Sequence, residues 1–196
     1  MKAKSVLFLS MLLSAAFIAP SSFAADINNT KAITLADDGD GGFNSHFGDN
    51  FTSMTTNQSF ADKFTFTIDK SFDSSASLTS AYLSTLTTVK DLNITGFSMA
   101  AYDPVTKMAI GPIYAGTNGT AAGLNQTDSW SLTTMGLKAG TYYIEVDGTV
   151  AGKGGGSFGT DLTIAAAVPE PETYGMLVGG LGLIGLVARR RKSNRA

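Results

Sequence analysis

Apolar and polar residues alternate with a period of two along much of the chain. In DKFTFTID, Phe64, Phe66 and Ile68 share one face while Thr65 and Thr67 take the other. In GTYYIEVDG, Tyr142, Ile144 and Val146 oppose Tyr143, Glu145 and Asp147. Trp130 and Leu132 share a face in DSWSLTT, as do Leu162 and Ile164 in DLTIA. Successive side chains of a strand point to opposite faces, so this pattern predicts half-buried strands. GFSMAAYDPVTKMAIGPIY reads as strand, turn, strand, with Asp103-Pro104 opening the turn. Leu92 and Ile94 hold one parity and Phe97 and Met99 the other, so a bulge is expected at Gly96. Residues 76–86 read as a further strand. GGFNSHFGDNF (41–51) and GTVAGKGGGSFG (148–159) read as loops, the second linking two late strands, and 165–172 reads as a linker leaving the domain.

Strands joined by turns, without alternating helices, predict an all-β body: a single jelly-roll-like β-sandwich over residues 25–167. A body rich in Thr, Ser, Gly and Asn fits, since that mix disfavours helices. No strong internal repeat is present.

Two apolar runs break the alternation. The first, in MKAKSVLFLSMLLSAAFIAPSSFAAD, follows Lys2 and Lys4, spans Val6 to Ile18 and ends at Ser22-Phe23-Ala24. That is the layout of a secretory signal peptide, helical over 1–24 and cut by signal peptidase after Ala24. The second, Tyr174 to Ala188, lies between Pro169-Glu170-Pro171 and Arg189-Arg190-Arg191-Lys192. Its 15 residues make about 22 Å of helix against a hydrocarbon core of about 30 Å, so it spans only marginally. The basic residues hold the C-terminus in the cytoplasm and leave the body on the far side. The prolines block helix propagation, so the chain just outside the membrane is extended and open to a protease.

Charge narrows the partners. All four arginines follow the second apolar run. Residues 25–168 carry seven lysines against thirteen aspartates and one glutamate, a net charge of −7. An acidic body without arginine excludes a nucleic-acid partner, which needs a basic face. There is no cysteine, hence no disulfide, and the body rests on its packed core.

The order PEP, apolar run, basic cluster at residues 168–196 closely resembles the PEP-CTERM sorting signal of Gram-negative bacteria. The resemblance implies that exosortase, a membrane-embedded enzyme, processes the chain near Pro169-Glu170-Pro171. The protein is then held at the inner membrane only transiently, before reaching the cell surface or extracellular matrix. It further implies association with exopolysaccharide or biofilm. Phe60-Ala61-Asp62-Lys63-Phe64 resembles the pattern of the FxDxF family of PEP-CTERM proteins, with Phe60, Asp62 and Phe64 as its fixed positions. GTYYIEVDG is similar to a late strand of secreted β-sandwich domains such as bacterial pre-peptidase C-terminal domains.

Other candidate chemistry is sparse. Asp62 shares the parity of the aromatics, and a buried carboxylate needs partners. It is expected at the start of its strand, accepting backbone N–H bonds from a neighbouring turn, with metal or ligand contact as the alternative. Asp37, Asp38 and Asp40 crowd carboxylates onto a turn, as calcium sites do, and Asp49 stands at position twelve from Asp38, where calcium loops carry glutamate. A solvated turn is the preferred reading, and no metal or cofactor is expected. Six N-x-S/T triplets, at Asn28, Asn50, Asn57, Asn93, Asn118 and Asn125, read as coincidence in an Asn- and Thr-rich chain. Trp130 reads as core rather than as a sugar-stacking platform. His46 is the only histidine, and no G-x-S-x-G is present. The reading is a non-catalytic exported surface or matrix protein. Its alternative is a carbohydrate-binding module delivered to exopolysaccharide by the same tail.

Overall fold

A computed structural model of the chain describes residues 26–122, 126–167, 175–181 and 183–184. The strands among them are β1 (Ile27–Ala32), β2 (Ala36–Asp37), β3 (Phe43–Phe51), β4 (Ser59–Ile68), β5 (Phe72–Ser80), β6 (Leu83–Ser84), β7 (Val89–Lys90), β8 (Leu92–Asp103), β9 (Met108–Ala115), β10 (Thr117–Asn118), β11 (Ser129–Leu137), β12 (Gly140–Val150) and β13 (Gly156–Ala166). One sheet has the order β1-β4-β12-β8-β9, the other β10-β11-β5-β13-β3-β2, and β6 and β7 form a small ribbon. Pairing within the two large sheets is antiparallel except that β1 runs parallel to β4. The body is all-β, as its alternation predicts.

The inward parity of each long strand builds the core. Phe60, Phe64, Phe66 and Ile68 of β4, Ile144 and Val146 of β12, and Leu162 and Ile164 of β13 are all buried. Aromatic rings join the two sheets: Phe47 meets Phe64 at 4.6 Å between centroids, Phe51 meets Phe60 at 4.5 Å, and Phe72 meets Tyr142 edge-on at 5.1 Å. Such pairs add roughly 0.5–1.5 kcal/mol each beyond the area they bury. Tyr142 also donates its hydroxyl to the Lys138 carbonyl at 2.9 Å, fixing the turn that enters β12. Its neighbour Tyr143 is buried on the other face, edge-on to Tyr102 at 5.7 Å, so β12 is covered on both faces there.

The predicted hairpin forms from β8 and β9. Asp103 turns it by accepting from the Val105 amide and the Thr106 hydroxyl, both at 2.8 Å. The bulge falls where Asp147 pairs with Gly96 but Gly148 with Ile94.

The glycine-rich segments depart from expectation. Residues 41–51 are mostly the nine-residue strand β3, not a loop. The reason lies in its parity: Phe43, Phe47 and Phe51 point inward, and Asn44 and His46 outward. Gly48 is there for close approach, because a Cβ would run into the Phe158 carbonyl of β13. Within 148–159 only residues 151–155 turn, and the flanks extend β12 and β13. The turn does link those two strands. At its end Gly155 has φ +84°, and a side chain there would strike the Phe51 carbonyl. Of residues 76–86, only Ala76–Ser80 continue β5, followed by the two-residue β6. Ala165 and Ala166 belong to β13 rather than to the linker.

Residues 175–181 and 183–184 are helical. Among the described residues no helix is long and apolar enough to cross a membrane. The signal-peptide segment 1–24, the triplet Pro169-Glu170-Pro171 and the basic residues Arg189, Arg190, Arg191 and Lys192 lie outside the described residues.

Candidate functional site

The helical stretch of the tail presents Met176, Leu177, Val178, Leu181, Leu183 and Ile184 to the surroundings, all exposed. Burial of that apolar surface must therefore come from something other than the body.

Within the body, the FxDxF segment forms the most unusual environment. β4 is continuous through it, so Phe60, Asp62 and Phe64 all face inward and each is 1% exposed. Asp62 thus sits inside its strand rather than at the start, and no turn amide reaches it. Both carboxylate oxygens are buried without a hydrogen-bond partner. The expectation of backbone N–H partners fails because an inward-facing side chain in a paired strand finds the strand amides already committed to the ladder.

The neighbours of Asp62 come from both sheets. Asn29 lies opposite it on β1, and Asp49 approaches from β3. Asp49 accepts from the Lys31 ammonium at 2.6 Å, from the Asn50 amide at 2.8 Å and, at 3.5 Å, from the Asn29 side chain. Burial pushes the Asp62 carboxyl up, the Asp49 charge adds to that, and the result is a pKa of about 6. Burial acts on Asp49 in the same sense, but Lys31 and the Asn50 amide win and hold it below its ordinary value. Two facing carboxyls with opposite shifts are the arrangement in which one keeps its proton and the other its charge. Sequence reading singles out Asp62 but not Asn29, Lys31 and Asp49 as its surroundings, because the first two arrive by the pairing of β1 with β4 and Asp49 arrives from the other sheet.

A second buried carboxyl, Asp128, had no sequence signal. It accepts from the Ser80 hydroxyl at 2.9 Å and the Ile94 amide at 3.1 Å, pinning the approach to β11 onto β5 and β8. On the outer face of the first sheet, burial and then the neighbouring Glu145 push Asp147 up to about 6.

The Asp37–Asp40 loop turns its carboxylates onto itself. Asp37 accepts from the Gly39 amide at 2.8 Å, and Asp38 from the amides of Asp40 at 2.9 Å and Gly42 at 2.8 Å. Asp49 is not part of this loop, since it lies at the other end of β3. Among the described residues no group of three His, Cys, Asp or Glu side chains could hold a metal ion.

His46 sits on the exposed face of β3 with its Nδ1 2.7 Å from Asp161 of β13. Asp161 is paired on its other side with Ser77 of β5. The row therefore runs His, Asp, Ser, whereas nucleophile activation needs the histidine between the other two. Trp130 is half-buried against the core. Asn28, Asn50, Asn93 and Asn118 are exposed on or beside strands, Asn57 occupies a left-handed turn at φ 65°, and Asn125 lies outside the described residues.

Residues 167–192 match the family model of the PEP-CTERM protein-sorting motif. No curated protein and no solved structure matches the chain. A motif of this kind implies export, sorting in association with the membrane, and processing by exosortase.

Proposed function

We propose that this chain is a non-catalytic surface or extracellular-matrix protein of a Gram-negative cell. Signal peptidase removes residues 1–24, and the apolar run 174–188 retains the chain at the inner membrane. Exosortase then cuts near Pro169-Glu170-Pro171 and releases the body, a jelly-roll-like β-sandwich, where exopolysaccharide or biofilm is assembled. The observation that carries the reading is the sorting-motif match, which begins at residue 167, one position beyond the last strand. Phe60, Asp62 and Phe64 are read as the FxDxF signature, in a structural role: both rings pack on phenylalanines of the opposite sheet and the carboxyl is buried on the same face of the strand.

The order of His46, Asp161 and Ser77 on a flat exposed face supports a non-catalytic role. The carbohydrate-binding alternative would draw support from a row of exposed aromatics. Among the described residues the Phe, Tyr and Trp side chains are buried or, as at Phe43, Tyr82, Tyr114 and Trp130, only partly exposed, so no fully exposed aromatic row favours it over the first reading.

Two tail variants test the proposal in an exosortase-bearing host. Replacing Pro169-Glu170-Pro171 with three alanines leaves insertion intact and blocks processing, so full-length protein accumulates in the inner membrane. Replacing Arg189, Arg190, Arg191 and Lys192 with serine weakens orientation and retention instead. Normal release of the alanine variant would refute the processing step.

A further inference from the structure

The topology brings two features to one end of the body. β13 runs out at Ala166, beside Phe72, the first residue of β5. Phe72 is paired in turn with Leu137, the last residue of β11. In the other sheet Gly140 pairs with Ile68 at the same level, and the β8–β9 hairpin turns there through residues 104–107. The chain therefore leaves the domain from the end formed by turns 69–71, 104–107 and 138–139.

That end carries most of the exposed aliphatic surface of the body. Val105, Met108, Ile110, Ile113 and Met135 are all more than half exposed, and Val105 reaches 87%. Ile110, Pro112, Gly136 and Leu137 line one open cleft of about 270 Å³, so β9 lies beside the end of β11. Met135 faces away from that cleft, beside Asp73 and Ala165, and Ile113, paired with Ala100, faces the other side of the sheet from Ile110, paired with Ala101. The other exposed large aliphatics of the body, Met54, Leu83 and Leu86, lie in the segments at the opposite end.

Only residues 168–174 separate Ala167 from the helical stretch that begins at 175. Seven residues reach at most about 25 Å even when fully extended. A tail held in the bilayer thus keeps this end of the body next to the lipid surface.

Lys107 and Lys138 flank the patch, exposed and able to extend toward headgroups. Asp69, Asp103 and the Asp37–Asp40 loop stand at the same end, so charge attraction to anionic lipid is not the driving term.

We propose that this apolar rim, formed by Val105, Met108, Ile110 and Met135 around the end of the body, seats the body on the bilayer surface while the chain is tethered. It dips aliphatic side chains into the headgroup–acyl boundary. The inference rests on the tethered stage of the function proposed above. Shallow insertion of an apolar face of this kind is the ordinary mode of interfacial binding.

The absence of cysteine makes the test direct. Single-cysteine variants V105C, M135C, L86C and I184C of the chain from Ala25 to Ala196 are labelled with an environment-sensitive fluorophore. They are reconstituted into phosphatidylethanolamine–phosphatidylglycerol vesicles carrying nitroxide-labelled lipid. Labels at 105 and 135 should be quenched several-fold more than the label at 86, with little dependence on salt. Equal quenching at 86, 105 and 135 overturns the proposal while a quenched label at 184 leaves the tether standing. An unquenched label at 184 removes the tether, and the proposal falls with it. Excimer emission from pyrene at 105 and 135, without lipid quenching, would assign the patch to a second copy and equally overturn the proposal.

Discussion

Asp62→Asn should stabilise the body at pH 8 and change it little at pH 4. In the fold the Asp62 carboxyl titrates at about 6, against an ordinary value of 3.8. Burial raises it first and the Asp49 charge second. The folded pKa lies above the unfolded one, so the native state binds the proton more tightly. The stability tied to that proton is fully present below about pH 4 and is lost as pH rises through 6. A shift of about two units corresponds to roughly 3 kcal/mol of stability lost between pH 4 and pH 8. Asparagine fills the same volume and carries no charge, so it escapes the loss. The variant should therefore exceed the parent by about 3 kcal/mol at pH 8, of order 10 °C in Tm for a domain of this size. Asp147 titrates in the same direction, but it is present in both proteins and cancels in the difference. Urea unfolding of residues 25–167, followed by the emission of Trp130, measures both proteins across pH 4–8; this is the chain's only tryptophan and it packs against the core. If Asp62→Asn is less stable than the parent at pH 8, ionised Asp62 is satisfied in the fold and the reasoning is wrong.

Two further substitutions probe the core. Phe64→Ala should cost about 3–5 kcal/mol in the same assay, since the ring is 1% exposed and packed on Phe47 and Phe158; a change near zero would remove it from the core. Asp128→Ala leaves the Ile94 amide and the Ser80 hydroxyl without their acceptor, and should cost about 1–3 kcal/mol, an effect that unchanged urea midpoints would contradict.

The strands that were legible in the sequence are those whose alternation is written in bulky residues. Phe64, Phe66 and Ile68, or Tyr142, Ile144 and Val146, declare a face by themselves, and each proved to line the core. The segment of β3 reads as a loop because Gly, Asn and Ser make up six of the eleven residues 41–51, although its three phenylalanines keep strict parity. Its glycine at 48 answers to the closeness of Phe158, a long-range fact that no local window contains. β1 escaped for a related reason: INNTKA has one large apolar residue, and its place is set by parallel pairing with β4. The inward orientation of Asp62 followed from parity alone. Its environment did not, because Lys31 reaches it from the neighbouring strand β1 and Asp49 from the other sheet, both distant in sequence. The sorting signal was the most legible part of all, since its PEP triplet, apolar run and basic cluster are contiguous and need no fold to be read.

The central claim is that the tail is removed by processing rather than kept as an anchor. Mass spectrometry of the C-terminus of the mature protein, recovered from the surface or medium of an exosortase-bearing host, tests it most directly. The account predicts a terminus near Pro169-Glu170-Pro171, with Arg189, Arg190, Arg191 and Lys192 absent. A mature protein that still ends at Ala196 would make the tail a plain membrane anchor and contradict the account.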